Sequence, residues 1–311
     1  MSFTKEVKEE LCEYQYDECC LFSELKAILR INSSVIIQSG KRLIEYQTSN
    51  LIVCERVIYL LEKVFNCSAQ LIEKEEKKLN IKKMYIILIE EKVDKILLAF
   101  NLFNLSFESM NQNLKQCCES AYIRGAFLNS GSINDPEKSY HLEITINNKV
   151  EAVYCQKVMN KYGLNAKIAK RRNSLFVYIK EADKISDFLK LINATKNFLK
   201  YEDIKITKDY INSLNRLVVC EIANEQKTLK AANEQIKYIE YIKKHLPKEK
   251  VDEKIAIVMD LRLENPDSSL NELADIAFQK YNIVLSKSCL NHRFMKIKEI
   301  YESLLNEKFV N

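Results

Sequence analysis

Two stretches of this 311-residue chain decide its fold: CCLFSELKAILRINSS at residues 19–34 and CCESAYIRGAFLNSGS at residues 117–132. They are two copies of one element, because an offset of 98 residues carries Cys19 onto Cys117. An internal repeat of about 100 residues predicts two similar half-domains that lie side by side. The same offset aligns further identical pairs: Ser34 with Ser132, Glu45 with Glu143, and Asn50 with Asn148.

The order of hydrophobic patterns is the same in both halves. Helical spacing of apolar residues alternates with β-branched and aromatic runs, which are typical of strands. In the first half these patterns cover residues 18–31, 33–53, 55–65, 68–90 and 93–105. The repeats, at about 18–105 and 116–200, each predict the order helix, strand, strand, helix, strand, strand, helix. We therefore expect an α+β domain with pseudo-twofold symmetry over residues 1–205.

Helical patterns dominate the rest of the chain. Residues 207–244 contain neither Gly nor Pro and read as one long helix that stops before Pro247. This helix could be a rigid linker or could lie on the repeat domain. Three shorter helical stretches follow, and their spacing is typical of a helix-turn-helix module: 250–263, 269–279 and 286–304. We predict a linker helix at 206–246 and a helix-turn-helix domain at 247–311.

The composition excludes several classes of protein. Hydrophobic residues are 47% and charged residues 29% of the chain, an ordinary soluble profile. No apolar run reaches the length that spans a bilayer, and the charged start MSFTKEVKEEL is unlike a signal peptide. We therefore expect a cytoplasmic protein with no membrane partner. The net charge of +5 weakly favours an anionic partner.

The ten cysteines are expected to be small buried hydrophobic residues rather than disulfides. The adjacent pairs Cys19–Cys20 and Cys117–Cys118 do not form a C-x-x-C pattern. The three histidines lie far from them in sequence. These observations predict no metal site and no cofactor.

Small residues mark the interior of the two repeat helices. Ala27 and Gly125 occupy corresponding positions, and small residues let two helix backbones approach closely. We therefore expect the two helices to pack as a central pair. Arg124, beside Gly125, could pair with an acid at this interface, although the sequence leaves the partner open.

The two repeat helices end in RINSSV (30–35) and LNSGSI (128–133). Paired helices of this kind, each followed by four strands, resemble the LAGLIDADG homing-endonuclease fold. In that fold each helix ends in an acidic residue, and the two carboxylates hold divalent metals. The match places Asn32 and Ser130 at these degenerate metal positions. Neither side chain can neutralise a metal ion, so the resemblance implies no cleavage and no enzyme.

Longer strings resemble the WhiA family of bacterial transcription regulators. They span nearly the whole chain: SFTKEVKEEL near the start, AYIRGAFLNSGSINDPEKSYHLEI (121–144), NRLVVCEIANEQKT (215–228) and SLNELADIAFQKYNIVLSKSCLNHRFMKI (269–297). The resemblance implies a degenerate endonuclease-like domain joined to a helix-turn-helix that is similar to region 4 of sigma factors. It also implies a role in sporulation in some bacteria, and more widely in cell division and chromosome segregation.

The last helical stretch has the features of a recognition helix. Ser286 is a plausible N-cap, and Leu290, Phe294 and Ile297 form a core-facing stripe. Asn can pair with adenine and Arg with guanine in the major groove. The candidate DNA-binding residues are Lys287, Ser288, Asn291, His292, Arg293, Lys296 and Lys298.

An ordinary solvated basic face is the alternative reading of that helix. From residue 245 onward the chain has 10 Lys and Arg residues against 11 Asp and Glu residues. A DNA-binding surface in this domain therefore requires that its charges segregate onto one face.

A second basic cluster lies in the second repeat, where residues 152–180 contain no acid. Lys161 belongs to this cluster, and the candidate phosphate contacts are Lys167, Lys170, Arg171 and Arg172. A solvated Lys-rich turn is the alternative. The equivalent turn of the first repeat reads EKEEKK (73–78), which argues against a symmetric DNA saddle.

These patterns and resemblances favour a sequence-specific regulator of transcription that binds double-stranded DNA at the nucleoid and has no enzymatic activity. One alternative is an interaction module in which the repeat domain binds RNA polymerase or another regulator and the helix-turn-helix assists. A metal-dependent endonuclease is a third, and Asn32 and Ser130 count against it. The oligomeric state is left open.

Overall fold

The computed structural model describes residues 2–38, 40–78, 80–102, 115–171 and 174–309. It divides into two compact units, Met1–Asp209 and Tyr210–Asn311. In the first unit, α1 (Phe3–Glu13) precedes the first repeat, which comprises α2 (Glu18–Asn32), β1 (Ser33–Gln38), β2 (Lys41–Thr48), α3 (Leu51–Phe65), β3 (Gln70–Lys78), β4 (Asn80–Ile89) and α4 (Val93–Phe100). The second repeat comprises α5 (Gln116–Ser130), β5 (Gly131–Ile133), β6 (Leu142–Ile146), α6 (Lys149–Lys161), β7 (Lys167–Arg171), β8 (Ser174–Ile179) and α7 (Ala182–Leu191).

The two repeats form matching four-stranded antiparallel sheets. Their strand orders are β1-β2-β4-β3 and β5-β6-β8-β7, with β1 corresponding to β5 and β3 to β7. Asn50 and Asn148 each cap the helix after the second strand, and each accepts a hydrogen bond from the N–H two residues on, at 3.0 Å and 2.7 Å. The predicted α+β fold with two seven-element repeats is confirmed.

Each sheet has one face covered by helices and one open face. In β2, Ile44 and Tyr46 are fully buried against the helices, whereas Gln47, the next residue along the strand, points to the other face and is exposed. This alternation is what the two-residue period of a strand requires. In β6, Leu142, Ile144 and Ile146 are buried in the same way.

The helices α2 and α5 pack against each other through small residues, as predicted. A Cβ atom placed on Gly125 would lie 2.3 Å from the backbone oxygen of Glu24 and 3.0 Å from the Cβ of Ala27. Only a residue without a side chain allows the two backbones to approach this closely.

The long helix α8 (Thr195–His245) begins earlier than the predicted start at residue 207. Its first turn is capped by Glu10 of α1, whose carboxylate accepts hydrogen bonds from the backbone N–H groups of Lys196 and Asn197 at 2.6 Å and 2.9 Å. Glu10 satisfies donors that would otherwise lack partners at a helix start. Because this capping residue is so distant in sequence, no local pattern could predict where α8 begins.

The second unit contains α8 from Tyr210 onward and a short 3₁₀ helix, Lys248–Lys250. Its described α-helices after α8 are α9 (Glu253–Glu264), α10 (Leu270–Tyr281) and α11 (Lys287–Phe309). The last turns of α8 supply Ile239 and Ile242 to the core of these helices. The predicted linker helix therefore contributes side chains to the helix-turn-helix core as well. Among the described helices, none is both long and apolar enough to cross a membrane.

Candidate nucleic-acid interface

The ends of α2 and α5 carry the two residues predicted at degenerate metal positions. Asn32 donates a hydrogen bond from its side-chain nitrogen to the carbonyl oxygen of Gln47 at 2.9 Å. Ser130 donates from its hydroxyl to the carbonyl oxygen of Thr145 at 2.5 Å. Both side chains therefore brace the helix end against the second strand of their own repeat, and neither carries a negative charge.

Buried ion pairs connect the first repeat to the second. Glu24 of α2 accepts hydrogen bonds from Arg56 of α3 at 2.9 Å and from Arg124 of α5 at 2.8 Å. Arg30 of α2 pairs with Glu151 of α6 at 2.6 Å, and all five side chains are buried. Glu24 is thus the partner of Arg124 that the sequence left open.

The basic cluster of the second repeat is divided between different surfaces. Lys167 lies beside Tyr178 in the strand register, on the open face, and the Arg171 guanidinium lies 5.0 Å from the centre of the Phe176 ring on that face. Lys170 shares the side of β7 that carries Ile168, which packs on the core. The structure therefore brings Lys167 and Arg171 to one face and places Lys170 on the other.

One further member of that cluster lies on a helix of the same repeat. Lys161 ends α6 and forms an ion pair with Glu119 of α5 at 2.9 Å. Arg172 lies outside the described residues.

The open faces of the two sheets differ in chemistry. The strand registers align Lys167 with Gln70 and Arg171 with Lys74, so each sheet carries a cation at the second of these positions. They also align the rings of Phe176 and Tyr178 with Ile86 and Leu88, and Ala169 with Ile72. Ile72 is 42% exposed. The segment EKEEKK (73–78), which the sequence pattern assigned to a turn, lies in the strand β3.

The helix α11 begins as the sequence predicted. The Ser286 hydroxyl accepts a hydrogen bond from the backbone N–H of Cys289 at 3.1 Å, which caps the helix. Leu290, Phe294 and Ile297 are buried in the core of the second unit. This stripe fixes which residues of α11 point away from the domain.

The candidate DNA-binding residues surround the first three turns of α11 on its remaining faces. Helical geometry places Ser288 and His292 opposite the buried stripe. Lys287 and Asn291 lie on one flank, and Arg293 and Lys296 lie on the other. Except for Arg293, which is partly buried, the predicted residues up to Lys298 are exposed.

Arg293 faces an open groove between α11 and the start of α9. Its Nη1 donates a hydrogen bond to the carbonyl oxygen of Lys254 at 3.3 Å. Lys254 and Asp252 line this groove together with Lys296 and His292. Sequence reasoning missed Lys254 because it lies 39 residues before Arg293 and belongs to another helix.

Lys298 lies one turn beyond this groove. Its Nζ is 3.7 Å from a carboxylate oxygen of Glu302, in the i to i+4 arrangement. Exposed pairs of this kind are weak, so Lys298 can exchange its partner for an anion at little cost.

Family models match three consecutive parts of the chain. The WhiA N-terminal LAGLIDADG-like domain matches residues 18–103, and the WhiA LAGLIDADG-like domain matches residues 119–211. The WhiA C-terminal HTH domain matches residues 214–301. These matches follow the two sheets and the C-terminal helices.

Curated relatives match over the full length. The probable cell division protein WhiA of Oceanobacillus iheyensis is 37% identical over 310 residues, which cover 98% of each chain. The proteins of the same name from Macrococcus caseolyticus and Bacillus cytotoxicus are 38% and 39% identical. Their alignments cover 100% and 98% of this chain, and 99% and 97% of the relatives.

Two solved structures share the fold. Full-length DUF199/WhiA from Thermatoga maritima has a TM-score of 0.59 and 25% identity, and the match covers 97% of this chain and 99% of that one. The N-terminal LAGLIDADG domain of DUF199/WhiA has a TM-score of 0.50 and 26% identity. That match covers 61% of this chain and 90% of the other.

Proposed function

This chain belongs to the WhiA family of cell division proteins, and we propose that it is a sequence-specific DNA-binding regulator of transcription that acts at the nucleoid. We further propose that it has no nuclease activity and that α11 is its recognition helix. The role in cell division and chromosome segregation then follows from which genes it controls.

One observation carries this proposal: the exposed surface of the first three turns of α11. Between Ser286 and Lys298 the helix contains four basic residues and no acid. Its apolar stripe is buried in the core of the domain, so the other faces of the helix remain available for a partner. The domain has more acids than bases, but this stretch carries four of its ten Lys and Arg residues and none of its acids. A helix face of this composition fits the major groove, which presents acceptors to Arg and both donors and acceptors to Asn.

The open face of the second sheet supplies weaker support for DNA contact. Lys167 and Arg171 could reach phosphates, but Lys170 lies on the other side of the strand. We therefore propose that these residues contribute at most accessory phosphate contacts, and that the affinity comes from the helix-turn-helix.

Selection from a random-sequence duplex pool tests the proposal. We expect the full chain to enrich one sequence family, and the double variant N291A/R293A to enrich none, because the base-edge contacts are lost. The double variant E299A/E302A is the matched control on the same helix and should enrich the same family. Failure of the full chain to enrich any sequence would favour the interaction module that binds RNA polymerase or another regulator.

The absence of nuclease activity is tested separately. We expect no nicking or cutting of duplex DNA in Mg²⁺ or Mn²⁺, because Asn32 and Ser130 offer no carboxylate and are engaged with the strand backbone. Supercoiled plasmid carrying the enriched sequence is the most sensitive substrate. Metal-dependent nicking that disappears when nearby acids are replaced would contradict the proposal.

A further inference from the structure

Four cysteines from the two repeats meet where α2 and α5 begin. Cys19 and Cys20 are the second and third residues of α2, and Cys117 and Cys118 occupy the same positions in α5. The sulfur atoms of Cys19, Cys20 and Cys117 all lie within 4.8 Å of one another. The Cys19 and Cys117 sulfurs are 4.0 Å apart, and those of Cys117 and Cys118 are 3.9 Å apart.

These separations fit one tetrahedral thiolate site. A zinc ion lies about 2.3 Å from each thiolate sulfur, so four sulfurs around it are about 3.8 Å apart. The observed distances of 3.9 Å and 4.0 Å are close to that value. Sulfurs this close together leave no room for the bridging sulfides of an iron–sulfur cluster, so a single ion fits best.

The position at two helix starts favours negatively charged sulfurs. Asp17 and Lys115 are the N-caps of α2 and α5, and neither side chain makes a capping hydrogen bond. The four cysteines therefore lie in the first turns of two helices whose N-cap side chains do not cap them, and the positive end of a helix dipole favours thiolates there.

We propose that Cys19, Cys20, Cys117 and Cys118 bind one zinc ion, which ties the first repeat to the second at the start of the central helix pair. Three sulfurs already converge. Cys118 now donates its thiol hydrogen to the carbonyl oxygen of Cys19 at 3.6 Å, and it completes the site by turning its side chain toward the other sulfurs. Two of the ligands, Cys19 and Cys117, are exposed, which provides a route for the ion.

This proposal revises the sequence prediction of no metal site. The C-x-x-C spacing is needed when one turn supplies two ligands. Here each helix supplies an adjacent pair, and the repeat brings the pairs together. The prediction of buried cysteines is wrong for Cys19 and Cys117, which are exposed at the helix starts, and for Cys220. Cys12 and Cys289 are partly buried, and the prediction is correct for the others: Cys20, Cys54, Cys67, Cys118 and Cys155.

Metal analysis of the full chain tests the site. The protein is purified without a histidine tag and without chelators, and its zinc content is measured by inductively coupled plasma mass spectrometry. We expect one zinc ion per chain, and none in the double variant C19S/C117S. The variant C220S is the matched control, because Cys220 is exposed on α8 and should leave the zinc content unchanged.

Cobalt substitution gives a second measurement that does not depend on any variant. Co²⁺ added to the metal-free chain should give intense thiolate-to-cobalt absorption and the strong visible bands of a tetrahedral ion, and added Zn²⁺ should remove both. Absence of zinc together with absence of these bands would overturn the proposal. It would also be overturned by iron with acid-labile sulfide, or by a native Cys19–Cys117 disulfide that makes the intact chain two hydrogens lighter.

Discussion

Glu24 is the residue on which the contact between the two repeats depends most. Its buried carboxylate is shared by Arg56 and Arg124, which come from different repeats. The Arg124 guanidinium also lies 3.5 Å from the centre of the Tyr16 ring, so this charge is enclosed on several sides. Removal of the carboxylate would leave two buried cations without their counter-ion.

We predict that Glu24→Gln lowers the free energy of unfolding by about 3–5 kcal/mol, the usual cost of breaking a buried ion pair from one side. Urea denaturation of the full chain measures the change. Glu13→Gln is the control, because Glu13 pairs with Lys196 at 3.3 Å on the exposed surface and should cost at most about 1 kcal/mol. Equal effects of the two substitutions would show that the central ion pairs do not hold the repeats together.

Single residues also mark the limit of what the sequence could predict. The small residues Ala27 and Gly125 indicated the close helix pair, because backbone approach has a local requirement. The partner of Arg124 did not follow from the sequence, because Glu24 is 100 residues away and its equivalent in the second repeat is Tyr122. The symmetry that predicts the fold is therefore broken in the charges that hold it together.

At the scale of the element, α11 was the most predictable part of the candidate site. Its cap and its buried stripe depend on residues within one helix, and both are found where the pattern placed them. The orientation of Arg293 was not predictable, because it depends on the carbonyl oxygen of Lys254 in α9. The predicted start of α8 was wrong for a similar reason, because the residue that caps this helix, Glu10, lies in α1, far away in the sequence.

The flanks of α11 predict different roles for two of its basic residues. Arg293→Ala should cost about 1–3 kcal/mol at the enriched sequence and relax the sequence preference, because a base contact is lost. Lys298→Ala should weaken binding to all duplexes equally and reduce the salt slope by about one unit, as expected for a phosphate contact. Titrations of the enriched duplex and a scrambled duplex at several salt concentrations distinguish the two.

Equal losses on both duplexes for Arg293→Ala would assign that residue to phosphate contact. No loss for either variant would make α11 a solvated face, the alternative that its sequence allowed.

For the whole molecule, the 98-residue offset was enough to predict two matching α+β repeats, because each repeat is a self-contained order of helices and strands. The same offset did not predict that the repeats expose different faces. The first sheet presents Ile86 and Leu88 where the second presents Phe176 and Tyr178, and Gln70 where the second presents Lys167. The two open faces therefore differ in their side chains, although Lys74 and Arg171 give each a cation at the same position. Our proposal assigns DNA recognition to α11 in the second unit.

Two charge-matched variants of the full chain test this placement most directly. One replaces Lys287, Arg293 and Lys296 with Gln, and the other replaces Lys167, Lys170 and Arg171 with Gln. Affinity for the enriched duplex is measured as a function of salt concentration. We predict that the first variant loses most of the affinity and that its salt slope falls by about two units, whereas the second binds nearly as the parent does. The reverse result, with the second variant losing the affinity and the slope, would contradict recognition by the helix-turn-helix and assign it to the repeat domain.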